Sequence, residues 1–172
     1  GIVVGQVLQA TAREWFVESE GAGFRVYANE APPVRPGDMI EAVGFPKLGG
    51  ASPVLLEAQT RVVGREPLAR PLSIAGSRLL DRTLDSTLVT VGATLIRDAV
   101  DRGERVFELQ SGPYHFAARC KADSRKAKQL LSGSELQLTG VYVVADDEGG
   151  RLGANGTPFE LLMDSAAGVV VL

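Results

Sequence analysis

The sequence holds one histidine, His115, and one cysteine, Cys120, the residue types that most often supply a general base and a nucleophile. They stand five residues apart on one expected strand. Side chains alternate along a strand, so an odd separation puts them on opposite faces and they make a poor catalytic pair. No paired-carboxylate motif takes their place, and no catalytic residue is assigned. A single cysteine excludes an intramolecular disulfide framework and any multi-cysteine zinc site. A single histidine removes most histidine-based metal constellations. The acidic run Asp146-Asp147-Glu148-Gly149-Gly150 lacks the alternating ligands and distal glutamate of an EF-hand, and it reads as a solvated turn. Asn155-Gly156-Thr157 matches a glycosylation sequon, as many surface turns do. No metal and no cofactor is implied, and the expectation is a segment without catalytic activity of its own.

The aromatic and arginine residues offer binding chemistry instead. Trp15, Phe16, Phe24, Arg25 and Tyr27 fall on two neighbouring expected strands, and Phe107, Tyr114, Phe116 and Arg119 do so later in the chain. A ring beside a guanidinium can stack a nucleobase, a sugar or an aromatic metabolite. Trp15, Arg25, Tyr27, Tyr114 and Arg119 are the candidate ligand-binding residues. Alternation places Trp15 with Val17 and Phe16 with Glu18. Which pair faces a barrel interior is open at this point, and core packing is the competing use of the rings. Lys121, Arg125, Lys126 and Lys128 form a basic cluster that reads as a solvated helix face. The formal net charge of −3, the pI near 5.3 and an aromatic content of 6% count against nucleic acid as a partner.

The elements that must position these residues are mostly strands. Short runs rich in valine, leucine, threonine and aromatics recur between glycine, proline and acidic punctuation. The spacing predicts strands over residues 2–9, 15–18, 24–27, 39–45 and 54–63. They resume over 88–97, 105–110, 114–120, 135–144, 159–163 and 168–172. Serine and aspartate caps predict helices over 73–81 and 123–131, the second with Ala127, Leu130 and Leu131 along one stripe. The segments occur twice. Val3-Val4-Gly5-Gln6-Val7 matches Thr90-Val91-Gly92-Ala93-Thr94, and Phe24-Arg25-Val26-Tyr27 matches Tyr114-His115-Phe116-Ala117. The run from Gly37 to Gly44 matches that from Gly133 to Gly140. Five short strands per copy, with a helix possible between the third and fourth, is the order of an OB-type barrel. The fold expected is mainly β, two tandem five-stranded OB-like barrels with one or two short helices. The first barrel covers 1–64, a linker with a short helix 65–84, and the second barrel 85–172. The prolines of Asn29-Glu30-Ala31-Pro32-Pro33-Val34-Arg35-Pro36 forbid a helix there, so an extended loop or the linker helix closes the first barrel.

Taken in order, Gly1-Ile2-Val3-Val4-Gly5, Trp15-Phe16-Val17-Glu18, Val34-Arg35-Pro36-Gly37-Asp38, Val62-Val63-Gly64 and Arg70-Pro71-Leu72-Ser73-Ile74 span nearly the whole chain. In that order they resemble the extracytoplasmic tandem OB-like region of bacterial transmembrane sensor histidine kinases. The resemblance implies a periplasmic piece of a longer, membrane-anchored, two-component signalling protein. It would bind a small ligand or a periplasmic protein, or pair with a second copy, and pass the change across the membrane. No kinase residue is present. Two rivals stand beside it: a single-stranded nucleic-acid-binding OB pair attached to a nuclease, and a structural spacer.

Overall fold

A computed structural model describes residues 1–30, 33–123, 128–145 and 157–172. The chain divides into two compact units, Gly1–Arg70 with Arg82–Leu88, and Pro71–Asp81 with Val89–Leu172. In the first unit the alternating apolar runs form β1 (Ile2–Ala10), β2 (Glu14–Ser19), β3 (Ala22–Ala28), β4 (Asp38–Lys47) and β5 (Val54–Arg65). They close into a barrel in the order β1-β2-β3-β5-β4, antiparallel throughout except for the β3–β5 pair. This is the OB arrangement. Val7, Trp15, Val17, Val26, Ile40, Ala42, Leu55 and Ala58 fill the interior. Glu20 and Gly21, with φ of 52° and 80°, make the tight β2–β3 hairpin turn whose twist suits the flanking strands.

Before β4 the chain turns through Arg35-Pro36-Gly37-Asp38. Gly37 takes φ 99°, where a side chain would be strained. The Asp38 carboxylate accepts from the Arg35 amide and pairs with Arg65 at 2.9 Å. Val34 of the proline-bearing loop packs on the core cluster, so an extended segment contributes to closing this barrel.

The second unit contains β6 (Leu72–Ile74), β7 (Thr87–Asp101), β8 (Glu104–Ser111), β9 (Tyr114–Lys121), β10 (Glu135–Val144), β11 (Phe159–Leu162) and β12 (Val169–Val171), although the first two residues of β7 belong to the first unit. β7-β8-β9-β11-β10 repeats the order of the first barrel and closes through β10 on β7. β6 lies parallel beside β7, and β12 lies antiparallel beside β10. Phe116, Phe159 and Tyr142 stack in the core, with ring centroids 5.0 and 4.5 Å apart. The buried Tyr142 hydroxyl donates to the Leu79 carbonyl at 2.7 Å, so its polar end is satisfied.

The helix expected over 73–81 is instead the strand β6 followed by a 3₁₀ turn, Gly76–Leu80, whose Leu79 is buried. Pairing Leu72, Ser73 and Ile74 with Val89, Thr90 and Val91 satisfies backbone groups that a serine cap and sparse leucines would not. Of the helix expected over 123–131, Asp123 and residues 128–131 are not helical. Residues 124–127, with Arg125, Lys126 and Ala127, lie outside the described residues, as do the acidic run 146–150 and Asn155-Gly156. The segment read as a linker is shared. Residues 65–70 and 82–84 belong to the first unit, and 71–81 to the second.

Candidate functional site

The outer face of β2–β3 and the loops around it form the candidate site of the first barrel. Because Trp15, Val17 and Val26 point inward, alternation turns Glu14, Phe16 and Glu18 of β2 outward with Gly23, Arg25 and Tyr27 of β3. The pairings Phe16↔Arg25, Arg25↔Val54 and Val54↔Lys47 set a ring, a guanidinium, a valine and an ammonium in one row across β2, β3, β5 and β4. The Arg25 guanidinium lies over the Phe16 ring, 5.6 Å from its centroid.

Asp85 and Ser86 lie over this face. The 3₁₀ turn Arg82–Leu84 brings Asp85 onto Arg25, whose Nε and Nη2 donate to the two carboxylate oxygens at 2.9 and 2.6 Å. Ser52 of the β4–β5 loop also donates to Asp85, and the Ser86 hydroxyl lies 3.2 Å from both. Asp85 is 1% exposed. Arg25 Nη1 and the Tyr27 hydroxyl share Glu14 Oε1, at 3.2 and 2.8 Å. Burial would lower the Arg25 pKa, but the Asp85 hydrogen bonds and charge raise it, so the cation is held more firmly than usual. Burial, reinforced by Glu14, pushes Tyr27 up to about 12. Gly23 makes the covering possible. A Cβ there would lie 2.7 Å from the carbonyl oxygens of both Asp85 and Ser86.

The sequence-derived candidates separate on this geometry. Trp15 is 1% exposed inside the barrel, so its proposed stacking on a ligand is corrected: its parity matches the core residue Val17. Arg25 and Tyr27 do meet on the outer face, but Arg25 is engaged by Asp85 and Glu14 rather than open to solvent. Tyr114 and Arg119 are not brought together, since they stand five positions apart on β9 and their side chains take opposite faces. Arg119 pairs with Glu160 of β11 at 2.9 Å and Glu104 of β8 at 3.3 Å. His115 is exposed and Cys120 buried, and burial raises the thiol's pKa. Among the described residues no cluster of three metal-ligating side chains occurs.

Sequence reasoning missed two residues that the fold presents to solvent. Phe45 is 67% exposed, the one exposed ring of the chain's ten, and Lys47 follows on the same face of β4. They lead into the loop Leu48-Gly49-Gly50-Ala51-Ser52-Pro53, which corresponds to one of the two loops that frame ligands in OB folds. The available signal was the run Phe45-Pro46-Lys47-Leu48-Gly49-Gly50, where a proline and paired glycines end a strand beside an aromatic residue.

The second barrel carries a separate buried ion pair near one end. Arg105 Nε and Nη2 donate to Asp98 at 2.9 and 2.6 Å, and the Leu130 amide also donates to Asp98. Burial would raise the Asp98 pKa, but the Arg105 and Leu130 hydrogen bonds outweigh it and hold the carboxyl below its ordinary range. A cavity of about 320 Å³ adjoins the pair, bounded also by Val100 and Gln129. Asp98 spends its oxygens within the protein, tying residues 128–130 to β7.

No family model and no curated protein matches the chain. Among solved structures, the chain is similar to a murine DNA-binding protein bound to double-stranded DNA, at 13% identity over 100% of this chain and 97% of that one, TM-score 0.43. It is similar to the Ifi202 HINa domain in complex with 20 bp double-stranded DNA, at 12% identity over 100% and 95%, TM-score 0.41. A third is a putative aspartyl-tRNA synthetase from Leishmania major Friedlin, 12% identical over 63% of this chain, TM-score 0.46, of which the chain spans 22%. Two of these similar chains are solved on DNA, so the expectation that counted nucleic acid out as a partner is withdrawn. Whole-chain charge could not carry that expectation, since a net value does not describe any one face.

Proposed function

We propose that the chain is a non-catalytic binding module whose first OB barrel engages single-stranded nucleic acid through the edge of its β4–β5 loop. The carrying observation is Phe45 with Lys47: an exposed ring for base stacking and an ammonium for a phosphate, two residues apart on one strand face beside a glycine-rich loop. Fluorescence anisotropy with labelled single- and double-stranded oligonucleotides at low and high salt tests it. Single strands bind more tightly, and affinity falls with salt. Phe45→Ala weakens binding about 5- to 150-fold, the range for a lost stacking contact of about 1–3 kcal/mol. Absence of binding at 50 mM salt, or an unchanged Phe45→Ala, refutes the reading.

A second reading keeps the chain as the periplasmic part of a sensor histidine kinase, docking a protein partner or a second copy. Ile2, Val4 and Val43 support the docking part of that reading: Ile2 and Val43 are directly paired, Val4 lies on the same face, and all three are about half exposed or more. Sedimentation of wild type and Val43→Ser tests the second-copy form. Self-association lost in the variant favours it, and a monomeric wild type removes it.

A further inference from the structure

We infer that the outer face of β2–β3 in the first barrel is an anion-binding face that the chain's own Asp85 and Ser86 hold shut, the Asp85 carboxylate occupying the place of a ligand phosphate. The identity of the ligand rests on the nucleic-acid reading above. Three observations carry the inference. Arg25 grips Asp85 through a two-pronged fork, the geometry by which arginine also takes a phosphate, and Ser52 adds a hydroxyl to the same oxygen set. The surface beneath combines what a strand of bases and phosphates requires: the Phe16 ring under the guanidinium, Tyr27 beside it and Lys47 in the same row. Phe16 faces away from the barrel interior and is nonetheless fully buried, as is expected of a ring that the covering segment shields.

The covering residues are seated specifically. Gly23 leaves room for the carbonyls of residues 85 and 86 to lie on β3, and Ser86 holds φ 62°, a left-handed backbone that side chains other than glycine seldom adopt. A buried serine in that conformation, on a glycine seat, fits a segment with a second available state. In that state Phe16, Arg25 and Tyr27 join Phe45 and Lys47 as one continuous platform.

The test uses the whole chain, a labelled single-stranded oligonucleotide and two opening variants. Asp85→Asn removes the internal anion. Gly23→Ala leaves every charged group in place and sets a methyl where the Asp85 and Ser86 carbonyls lie. Both are expected to bind at least tenfold more tightly than wild type, with a steeper salt dependence by about one phosphate, a slope change near 0.7. Hydrogen exchange on wild type supplies a reading without substitution: amides of 85–88 lose protection when the oligonucleotide binds. Binding by wild type with unchanged affinity in folded Gly23→Ala, and unchanged protection over 85–88, overturns this inference alone. Binding by the variants but not by wild type upholds it and overturns the open Phe45 site. No binding by any of the three overturns both.

Discussion

Arg25 and Trp15 stand ten residues apart and were equal candidates for a ligand surface, yet their physical roles are opposite. Trp15 points into the barrel among Val7, Val17 and Val26, so its ring works by excluding water. Arg25 is turned outward and neutralised by two carboxylates. Trp15→Ala should therefore cost about 3–5 kcal/mol of first-barrel stability, as large core truncations do. Trp15→Phe should keep oligonucleotide affinity within about twofold while Phe45→Ala weakens it at least about fivefold. Denaturant unfolding and anisotropy on the same preparations check both statements, and a Trp15→Phe protein that is stable but cannot bind sinks the assignment. Parity was legible in the sequence for each of these residues. What was missing was the sign of the face, because Phe16, the large apolar residue of the outward set, is fully buried, and the Asp85 that engages its neighbour Arg25 lies sixty positions further along the chain. Glycine signals were legible where the turn is local, as at Gly37. The role of Gly23 depends on Asp85 and Ser86, and no local pattern announces it.

At the scale of elements, the internal repeat was read correctly in order but slipped in register, by one residue on the first strand and by two on the third, where the hairpin pairs Ser19↔Ala22 and Ser111↔Tyr114 make Ala22 rather than Phe24 the counterpart of Tyr114. The amide of Gly37 donates to Val7 and that of Gly133 donates to Leu95, both glycines with positive φ. Leu95 therefore stands where Val7 does, and the counterpart of Gly5 is the buried Ala93 rather than Gly92. Because side chains alternate, that single step moves a residue to the other face. A Cβ on Gly5 would meet the Glu18 carbonyl and Val17, whereas one on Gly92 would meet open space. Gly5→Ala should lose about 1–3 kcal/mol or more through overpacking against backbone. Gly92→Ala should stay within about 0.5 kcal/mol of wild type. Equal effects on thermal midpoints would restore the earlier alignment. Gly44 and Gly140 do correspond, each placed so that a Cβ would press on a carbonyl of the following strand, Leu56 in one barrel and Leu162 in the other. The strands were legible because they alternate and are bounded by turn residues. Segment 71–81 was not, since β6 has three residues and takes its pairing from β7.

For the whole molecule, the two barrels carry different ionisable devices, and the stability–pH profile should show one on each limb. Asp98 of the second unit has its folded pKa held down by Arg105 and the Leu130 amide, against the opposing effect of burial. A depressed carboxylate stabilises the fold above its unfolded value, about pH 4, and that contribution is lost as pH falls through the lower folded value. Tyr27 of the first unit is raised to about 12, first by burial and then by Glu14. A raised phenol contributes fully below its unfolded value, about pH 10, and the contribution is lost as pH climbs through 12. The chain supplies a reporter for each unit: its one tryptophan, Trp15, lies in the first barrel, and its one cysteine, Cys120, is buried in the second. Denaturant unfolding followed by Trp15 fluorescence should weaken between pH 10 and 12, and Tyr27→Phe should flatten that decline without altering the acid limb. Cys120 protection from a disulfide reagent active in acid should fall below about pH 4, and Asp98→Asn should be less stable at neutral pH yet nearly flat there. If Tyr27→Phe altered the acid exposure of Cys120, or Asp98→Asn the alkaline response of Trp15, the assignment of one device to each barrel would fail.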